Sequence, residues 1–272
     1  MKWINSQENP QIKEIIKIKK KPEKKVFVEG INLLRTVLES DLNHRVDKIF
    51  ITESFISKHK GFFQFLSDSN SELIGISDKL ASKISDTVSP QGIFALITYG
   101  IENSLEKIND ADTIVILDRI QDPGNLGTII RSSEALGAQA IILSEGCCNP
   151  LASKVIRASA GSVFLLPVIK TEEDRIKNFL EKSGFTVILT EPKADKNIFE
   201  IELKEHVAVV LGNEAQGISK SFKEIPHIAC KIPQTGKGES LNVAVSASIV
   251  LYEILRAKLS NFKGRNSHGR KK

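Results

Sequence analysis

Apolar positions along this chain follow two rhythms, one before and one after a polar break near residue 100. In the first part, short apolar runs alternate with stretches of helical spacing. FVEG (27–30) follows a lysine run and opens a helical pattern, INLLRTVLES. KIFIT (48–52) predicts a strand, residues 62–66 a Phe-rich helix, and LIGIS (73–77) another strand. A helix over 78–84 and a strand at GIFALIT (92–98) complete a small alternating α/β unit. The segment GIENSLEKINDAD has neither period and predicts a linker over 101–111.

After the linker the apolar runs become nearly continuous and β-branched: TIVIL (113–117), AIILS (140–144), VFLLPV (163–168), TVILT (186–190), VAVVL (207–211) and IACKI (228–232). Such runs, unlike alternating ones, predict strands buried on both faces, as in a parallel sheet covered by helices. The helical patterns are at 125–136, 150–160, 172–183 and 240–258. The last has small or apolar residues on several faces (Val243, Ala244, Ala247, Ser248, Leu251), which predicts burial against the sheet and against a second subunit.

Composition narrows the class. With 41% hydrophobic and 26% charged residues over 272 positions, the chain reads as a soluble globular protein. No apolar run reaches the roughly 20 residues of a membrane span, and the start lacks the apolar core of a signal peptide. Cys147, Cys148 and Cys230 form no CxxC pair and no even framework. They read as reduced thiols of a cytoplasmic protein, and no metal site is expected. The net charge of +5 is concentrated at the ends, in the lysine run at 13–25 and in residues 256–272, which carry +7. Either end reads as a solvated surface or as a phosphate-attracting arm.

Three strand ends carry the candidate chemistry. LDRIQDPGNLGTIIRSSEALG (117–137) lacks the spacing of a dinucleotide fingerprint and the Gly-Lys-Ser/Thr of a phosphate loop. Gly124 lets the chain turn and Asn125 reads as a helix cap. Leu126, Ile129, Ile130 and Leu136 form a buried stripe, which Gly137 ends. Arg131 falls between these apolar positions, where it needs a partner or a ligand. VVLGNEAQGIS (209–219) and IPQTGKGESLNVAVSASIV (232–250) place Gly212, Asn213, Glu214, Ser240 and Asn242 just after strands, at the edge where open α/β sheets bind ligands. His206 and His227 lack triad or metal spacing. The Phe cluster at 62–65 reads as core, because no basic residues interleave with it.

In this order and with these gaps, Asn-x-Gly-x-x-x-Arg (125–131), Leu-Gly-Asn-Glu-x-x-Gly (211–217) and Ile-Pro…Glu-Ser-Leu-Asn-Val (232–243) resemble the three motifs of the SpoU/TrmH family of the SPOUT superfamily. The resemblance implies an S-adenosylmethionine-dependent RNA ribose 2′-O-methyltransferase. It implies a methyltransferase domain over 112–258 with a parallel sheet and a C-terminal trefoil knot, against the general rule that chains do not thread. The glycine-flanked loops at 212–217 and 236–238 are compatible with one. Residues 1–100 resemble the small ribosomal-protein-like α/β domain that binds RNA substrate in rRNA-directed members, and 259–272 is left as a basic tail. By position, the resemblance implies catalytic roles for Arg131, Asn125, Glu214 and Asn242. It implies donor contacts at Gly212, Ile232, Leu241 and Thr190. RNA contacts are expected at Arg131, Ser240, Lys19, Lys20 and Lys21. It further implies a homodimer acting on RNA, in the first place a 23S-type rRNA.

Arg131 itself has three readings: a general base, a phosphate and alkoxide binder, or an ion-paired residue holding its loop, with Glu214 as the partner. A guanidinium group stays protonated in proteins, which disfavours the base. Gln234-Thr235 after Ile-Pro, and Val-Ala-Val-Ser after Asn242, depart conservatively from the family pattern. The alternatives for the whole chain are a tRNA 2′-O-methyltransferase, a non-catalytic RNA-binding ribosome-assembly protein on the same fold, and a Rossmann-type enzyme using Asp118 or Glu145 as its ribose-binding acid.

Overall fold

The computed structural model describes residues 1–40, 45–67, 71–99, 104–203, 205–236 and 240–268, with backbone alone beyond residue 260. In chain order the elements are β1 (Lys2–Ile4), α1 (Pro10–Lys20), β2 (Lys25–Glu29), α2 (Ile31–Leu38), β3 (Arg45–Thr52), α3 (Glu53–Lys58), α4 (Lys60–Ser67), β4 (Glu72–Ile76), α5 (Asp78–Ile84) and β5 (Ile93–Thr98). They continue with β6 (Thr113–Leu117), α6 (Pro123–Ala135), β7 (Ala140–Leu143), α7 (Ser153–Ala158), β8 (Val168–Lys170), α8 (Glu173–Ser183) and β9 (Thr186–Thr190). The last are β10 (Lys196–Asn197), β11 (Val207–Leu211), α9 (Lys220–Glu224), β12 (Ile228–Lys231) and α10 (Val243–His268). They divide into two compact units, one of residues 1–101 and 151–165, the other of 102–150 and 166–272.

The first unit is built on a mixed five-stranded sheet in the order β1-β4-β3-β5-β2. β1 and β3 run parallel to β4, whereas β5 runs antiparallel to both β3 and β2. Phe27, Phe50, Ile74 and Phe94 of the strands pack with Ile12 and Ile15 of α1 and Leu80 and Ile84 of α5. The lysine run at 13–25 is not one solvated face. It crosses from α1 into β2, a strand the sequence reading did not predict, because Lys24 and Lys25 break its apolar run.

Residues 151–165 pack with this first unit. Tyr99 donates its hydroxyl to Val163 O at 3.2 Å and meets Phe164 edge to face. The expected strand at 163–168 is instead a 3-10 turn at Ser162–Phe164, with β8 starting only at Val168. Pro167 has no N–H to give a ladder, so pairing begins after it. Gly161 precedes the turn at φ +91°, and a Cβ there would sit 2.8 Å from Leu33 Cδ1 and 3.2 Å from Thr36 Cγ2.

The second unit has a seven-stranded, fully parallel sheet, β10-β12-β9-β11-β6-β7-β8. Every residue of β6, β7 and β11 is buried. One face, with Ile114, Ile116, Ile142, Leu189 and Val210, packs on Ile176 and Leu180 of α8 and Phe222 of α9. The alternate residues Val115, Ile141, Ile188 and Val209 point the other way and are equally buried. The helices left to cover that face are α6 and α10, which lie against one another. The expected linker joins this unit too: Leu105 and Ile108 form a 3-10 turn buried in its core, while 101–103 lie outside the described residues. α10 runs ten residues beyond the expected end at 258, so the basic tail continues a helix as far as His268; residues 269–272 lie outside the described ones. No helix among the described residues is long and apolar enough to cross a membrane.

Gly161→Ala should destabilise the full chain by about 1–3 kcal/mol through its left-handed backbone and the Leu33 contact. Urea unfolding measures it; an unchanged midpoint would mean that the 151–165 segment adapts freely.

Candidate active site

Parallel pairing puts the carboxyl ends of β6, β9, β11 and β12 along one edge of the second sheet. Four loops leave from that edge, and a buried carboxylate organises two of them. Asp118, directly after β6, has no solvent exposure. Its Oδ1 accepts from Arg119 Nε at 2.9 Å and Ser144 Oγ at 3.2 Å. Its Oδ2 accepts from Arg119 Nη2 at 3.1 Å and from the backbone N–H of Ser219 at 2.7 Å. Four donors satisfy the charge, as burial requires. Asp118 is therefore structural, and the ribose-binding role weighed for it does not apply.

Arg119 extends the hold to the loop after β11. Its Nη1 donates to Gln216 Oε1 at 2.8 Å and its Nη2 to Gly217 O at 3.3 Å. Its own carbonyl accepts from Asn213 Nδ2 at 2.9 Å. Arg119 adopts φ +57°, a left-handed backbone that a residue with a Cβ keeps only when its surroundings fix it. The sequence reading missed Arg119. Its one signal was an Arg beside an Asp at a strand end, which looks like any loop ion pair.

The loop it holds is a tight turn. Asn213 Oδ1 accepts from the N–H groups of Ala215 and Gln216 at 2.9 and 3.0 Å, an Asx turn, and Gly217 closes it at φ +68°. Gly212 is required for a different reason: a Cβ there would overlap the backbone of Gly217 and Ile218. Together with residues after β9 and β12 and the start of α10, this loop encloses a cavity of 680 Å³. Thr190, Gly212, Ile232, Leu241, Ser240 and Asn242 all line it, as do Glu191, Glu214, Lys193 and Lys231. The expected donor residues are thus brought together. Thr190 Oγ1 is already spent on Val210 O at 3.1 Å.

Beside the cavity runs a chain of three side chains. Asn242 caps α10, its Oδ1 accepting from Ala244 N and Val245 N at 2.9 and 3.3 Å. Its Nδ2 donates to Asn125 Oδ1 at 2.9 Å, and Asn125 Nδ2 donates to Glu214 Oε1 at 2.7 Å. The helix start therefore fixes the orientation of both amides and aims a donor at the carboxylate. Two sequence expectations change here. Asn125 is not the cap of α6; Asp122 is, accepting from Asn125 N at 2.8 Å. Ser240 is not the cap of α10, since Asn242 takes that place.

Arg131 stands apart from this group. It is exposed on α6, and among the described residues it makes no hydrogen bond or ion pair. Glu214 pairs with Asn125 instead, so the reading of Arg131 as the ion-paired partner of Glu214 is corrected. It does not need one: six residues past Asn125, about 9 Å along the helix, it faces solvent, not the sheet.

The lysines also separate. Lys19 was expected to meet RNA, yet it is largely buried, donating to Ile84 O at 2.5 Å and pairing with Asp86 at 2.7 Å. Lys21 pairs with Glu23 at 2.9 Å in solvent, and Lys20 is exposed with no partner among the described residues. His206 and His227 bond backbone carbonyls of Ala111 and Ile225, and neither lines the cavity. Cys230 does line it, but burial pushes its thiol up to about 12, and burial raises Cys147 and Cys148 as well. No thiolate is on offer at neutral pH.

Comparisons with known proteins give the family. Residues 112–252 match the model of the SpoU rRNA methylase family, and residues 9–95 that of the MRM3-like substrate-binding domain. The chain is 32% identical to a tRNA/rRNA methyltransferase of Synechocystis over 93% of both chains. It is 29% identical to the 23S rRNA (guanosine(2553)-2′-O)-methyltransferase of Bacillus subtilis, covering 93% of this chain and 99% of that one. The AdoMet-bound rRNA methyltransferase of Sinorhizobium meliloti superposes with a TM-score of 0.82 at 26% identity, over 94% of this chain and 97% of its own. The chain belongs to the SpoU rRNA methylase family.

Asp118→Asn turns one of the accepting oxygens into a donor facing other donors. It should cost about 3 kcal/mol in urea unfolding and speed amide exchange at Ser219 before the residues of the sheet. Wild-type protection at Ser219 would show that the carboxylate does not hold the loop.

Proposed function

We propose that this protein transfers a methyl group from S-adenosylmethionine to a ribose 2′-hydroxyl of ribosomal RNA. The observation that carries the reading is the cavity beside the Asn242–Asn125–Glu214 chain. It combines a glycine-built loop with a fixed set of polar groups, and its size suits a small-molecule ligand, for which about 300–1,000 Å³ is usual. The lining fits the donor: Leu211, Ile232, Leu241 and Val243 offer apolar surface to a purine. Glu191 suits its positive charges, and Lys193 and Lys231 its carboxylate. Bound there, S-adenosylmethionine supplies a sulfonium methyl that is electrophilic without further activation.

The protein's own part is placement. Gly212, Ile232 and Leu241 hold the donor, with Thr190 behind them. Asn125 and Asn242 fix Glu214, whose Oε2 makes no bond among the described residues and is left to accept from the RNA. Positioning of this kind supplies much of a barrier reduction, up to about 7–11 kcal/mol in well-oriented systems. Arg131, exposed and without a partner among the described residues, grips a target phosphate and stabilises the alkoxide that develops as the 2′-hydroxyl proton passes to solvent water. The guanidinium fork, all donors and no acceptor, does not serve as a base.

The first unit binds the RNA, in keeping with its substrate-domain match. A second copy covers the exposed apolar stripe of α10, where Val245, Ile249, Tyr252 and Leu259 stand in solvent. A C-terminal trefoil knot belongs to this reading: α10 follows β12 in the chain and lies on α6, and the 212–217 loop lines the same cavity as residues 240–242. A 23S-type rRNA in the cytoplasm is the first target to test.

Arg131→Ala should leave thermal stability unchanged, because the side chain makes no bond among the described residues. Donor affinity by calorimetry should stay within about twofold. Single-turnover methyl transfer should fall by about 10²–10³-fold, and Arg131→Lys should recover little, since a point charge does not reproduce a bidentate fork. A near-normal rate in the alanine variant would remove Arg131 from the chemistry.

A further inference from the structure

The Phe cluster on α4 is not core. Phe65 is 52% exposed and Phe62 half-buried. Their rings stack at 5.7 Å with 29° between planes. Phe62 in turn meets the buried ring of Phe55 edge to face at 6.5 Å, which anchors the pair to the first unit's core. The guanidinium of Arg35, from α2, lies 5.5 Å from the centre of the Phe62 ring. Arg35 is exposed and makes no hydrogen bond or ion pair among the described residues, so its five N–H donors remain open. Lys58 and Lys60, exposed at the junction of α3 and α4, also lack partners among those residues.

We infer that Arg35, Phe62 and Phe65 form a stacking platform for an unpaired base of the RNA substrate. The inference rests on the RNA-methylating reading and gives the first unit a defined contact. A large exposed ring, steadied from below and neighboured by the Arg35 guanidinium, with Lys58 and Lys60 exposed on the same helix pair, combines the two features of single-strand binding: a π-face for the base and positive charge for the backbone. A duplex does not fit this arrangement, because its bases are already stacked on one another, and the deep groove of RNA helices keeps side chains from base edges. A protein partner would also cover the rings, but it would not call for an unpaired Arg, Lys58 and Lys60 together. Deviation from the sequence expectation has a simple cause: the basic residues do not interleave with the phenylalanines along the chain. Arg35 arrives from another helix.

The test uses the full chain, a 12-nucleotide oligouridine and a 12-base-pair RNA duplex. Binding is followed by fluorescence anisotropy over a range of salt. Phe65→Ala should weaken oligouridine binding about 5- to 100-fold, leave the duplex unchanged and keep the salt slope. Phe65→Trp should restore binding. Arg35→Ala should weaken binding and lower the slope of log affinity against log salt by about 0.7. S-adenosylmethionine affinity should stay the same in every variant. Equal oligouridine affinity for Phe65→Ala and wild type overturns the platform, as does equal loss on both RNAs; if methyl transfer to rRNA persists, only the platform falls. A wild-type chain that binds neither RNA and methylates none overturns the RNA reading along with it.

Discussion

One buried carboxylate holds the working edge together. Asp118 ends the central strand β6 and accepts from a backbone N–H beyond β11, from Ser144 after β7 and twice from Arg119. Through Arg119 it reaches Gln216 and Gly217. A loop rich in glycine is cheap to bend and costly to order. Here the ordering starts from charge-assisted bonds on a carboxylate with no solvent exposure, which are stronger than neutral ones. Through Arg119 they fasten the cavity wall at 212–217 at several points.

The three-membered chain of Asn242, Asn125 and Glu214 depends on that wall. Each member comes from a different strand–helix junction; Glu214 and Asn242 are exposed and Asn125 is half-buried. Their geometry is set from one end, because the first turn of α10 needs acceptors for its free N–H groups and Asn242 supplies one. A capping bond thus determines which atom of Asn125 faces Glu214. Local helix chemistry and active-site geometry are the same set of bonds at this point.

Much of this was legible in the sequence, and the rest was hidden for identifiable reasons. β6, β7, β9, β11 and β12 appeared within a residue of their observed ends, because strands buried on both faces carry unbroken apolar runs. The cavity residues Gly212, Ile232, Leu241 and Asn242 were legible from motif order. Hidden were β2, whose short apolar centre lies between a lysine pair and Glu29, and the turn at 162–164, where Pro167 defers the strand. The 151–165 segment was also misplaced, since nothing local records that Tyr99 and Leu33 wait for it. Arg131 was read as crowded because it lies between Ile129 and Ile130 on one side and Leu136 on the other. On a helix those positions leave one direction open, and Arg131 points along it. Arg119 stayed hidden because its importance lies in partners about a hundred residues away.

The parallel sheet also imposes an order in time. β6 sits between β7 and β11. Its partner on one side follows within about 25 residues, but Thr113 pairs with Val207, about 90 residues later. At a synthesis rate of about 5–20 residues per second, that edge of β6 stays open for roughly 5–20 seconds on the ribosome. The exposed segment is TIVIL, an uncharged β-branched run of the kind that pairs readily with other chains. Non-local pairing of this sort folds slowly. Cells making this protein have to keep the nascent middle of the chain from its neighbours until β11 emerges, so yield in a fast expression host is set by crowding of half-made chains as much as by the stability of the finished sheet.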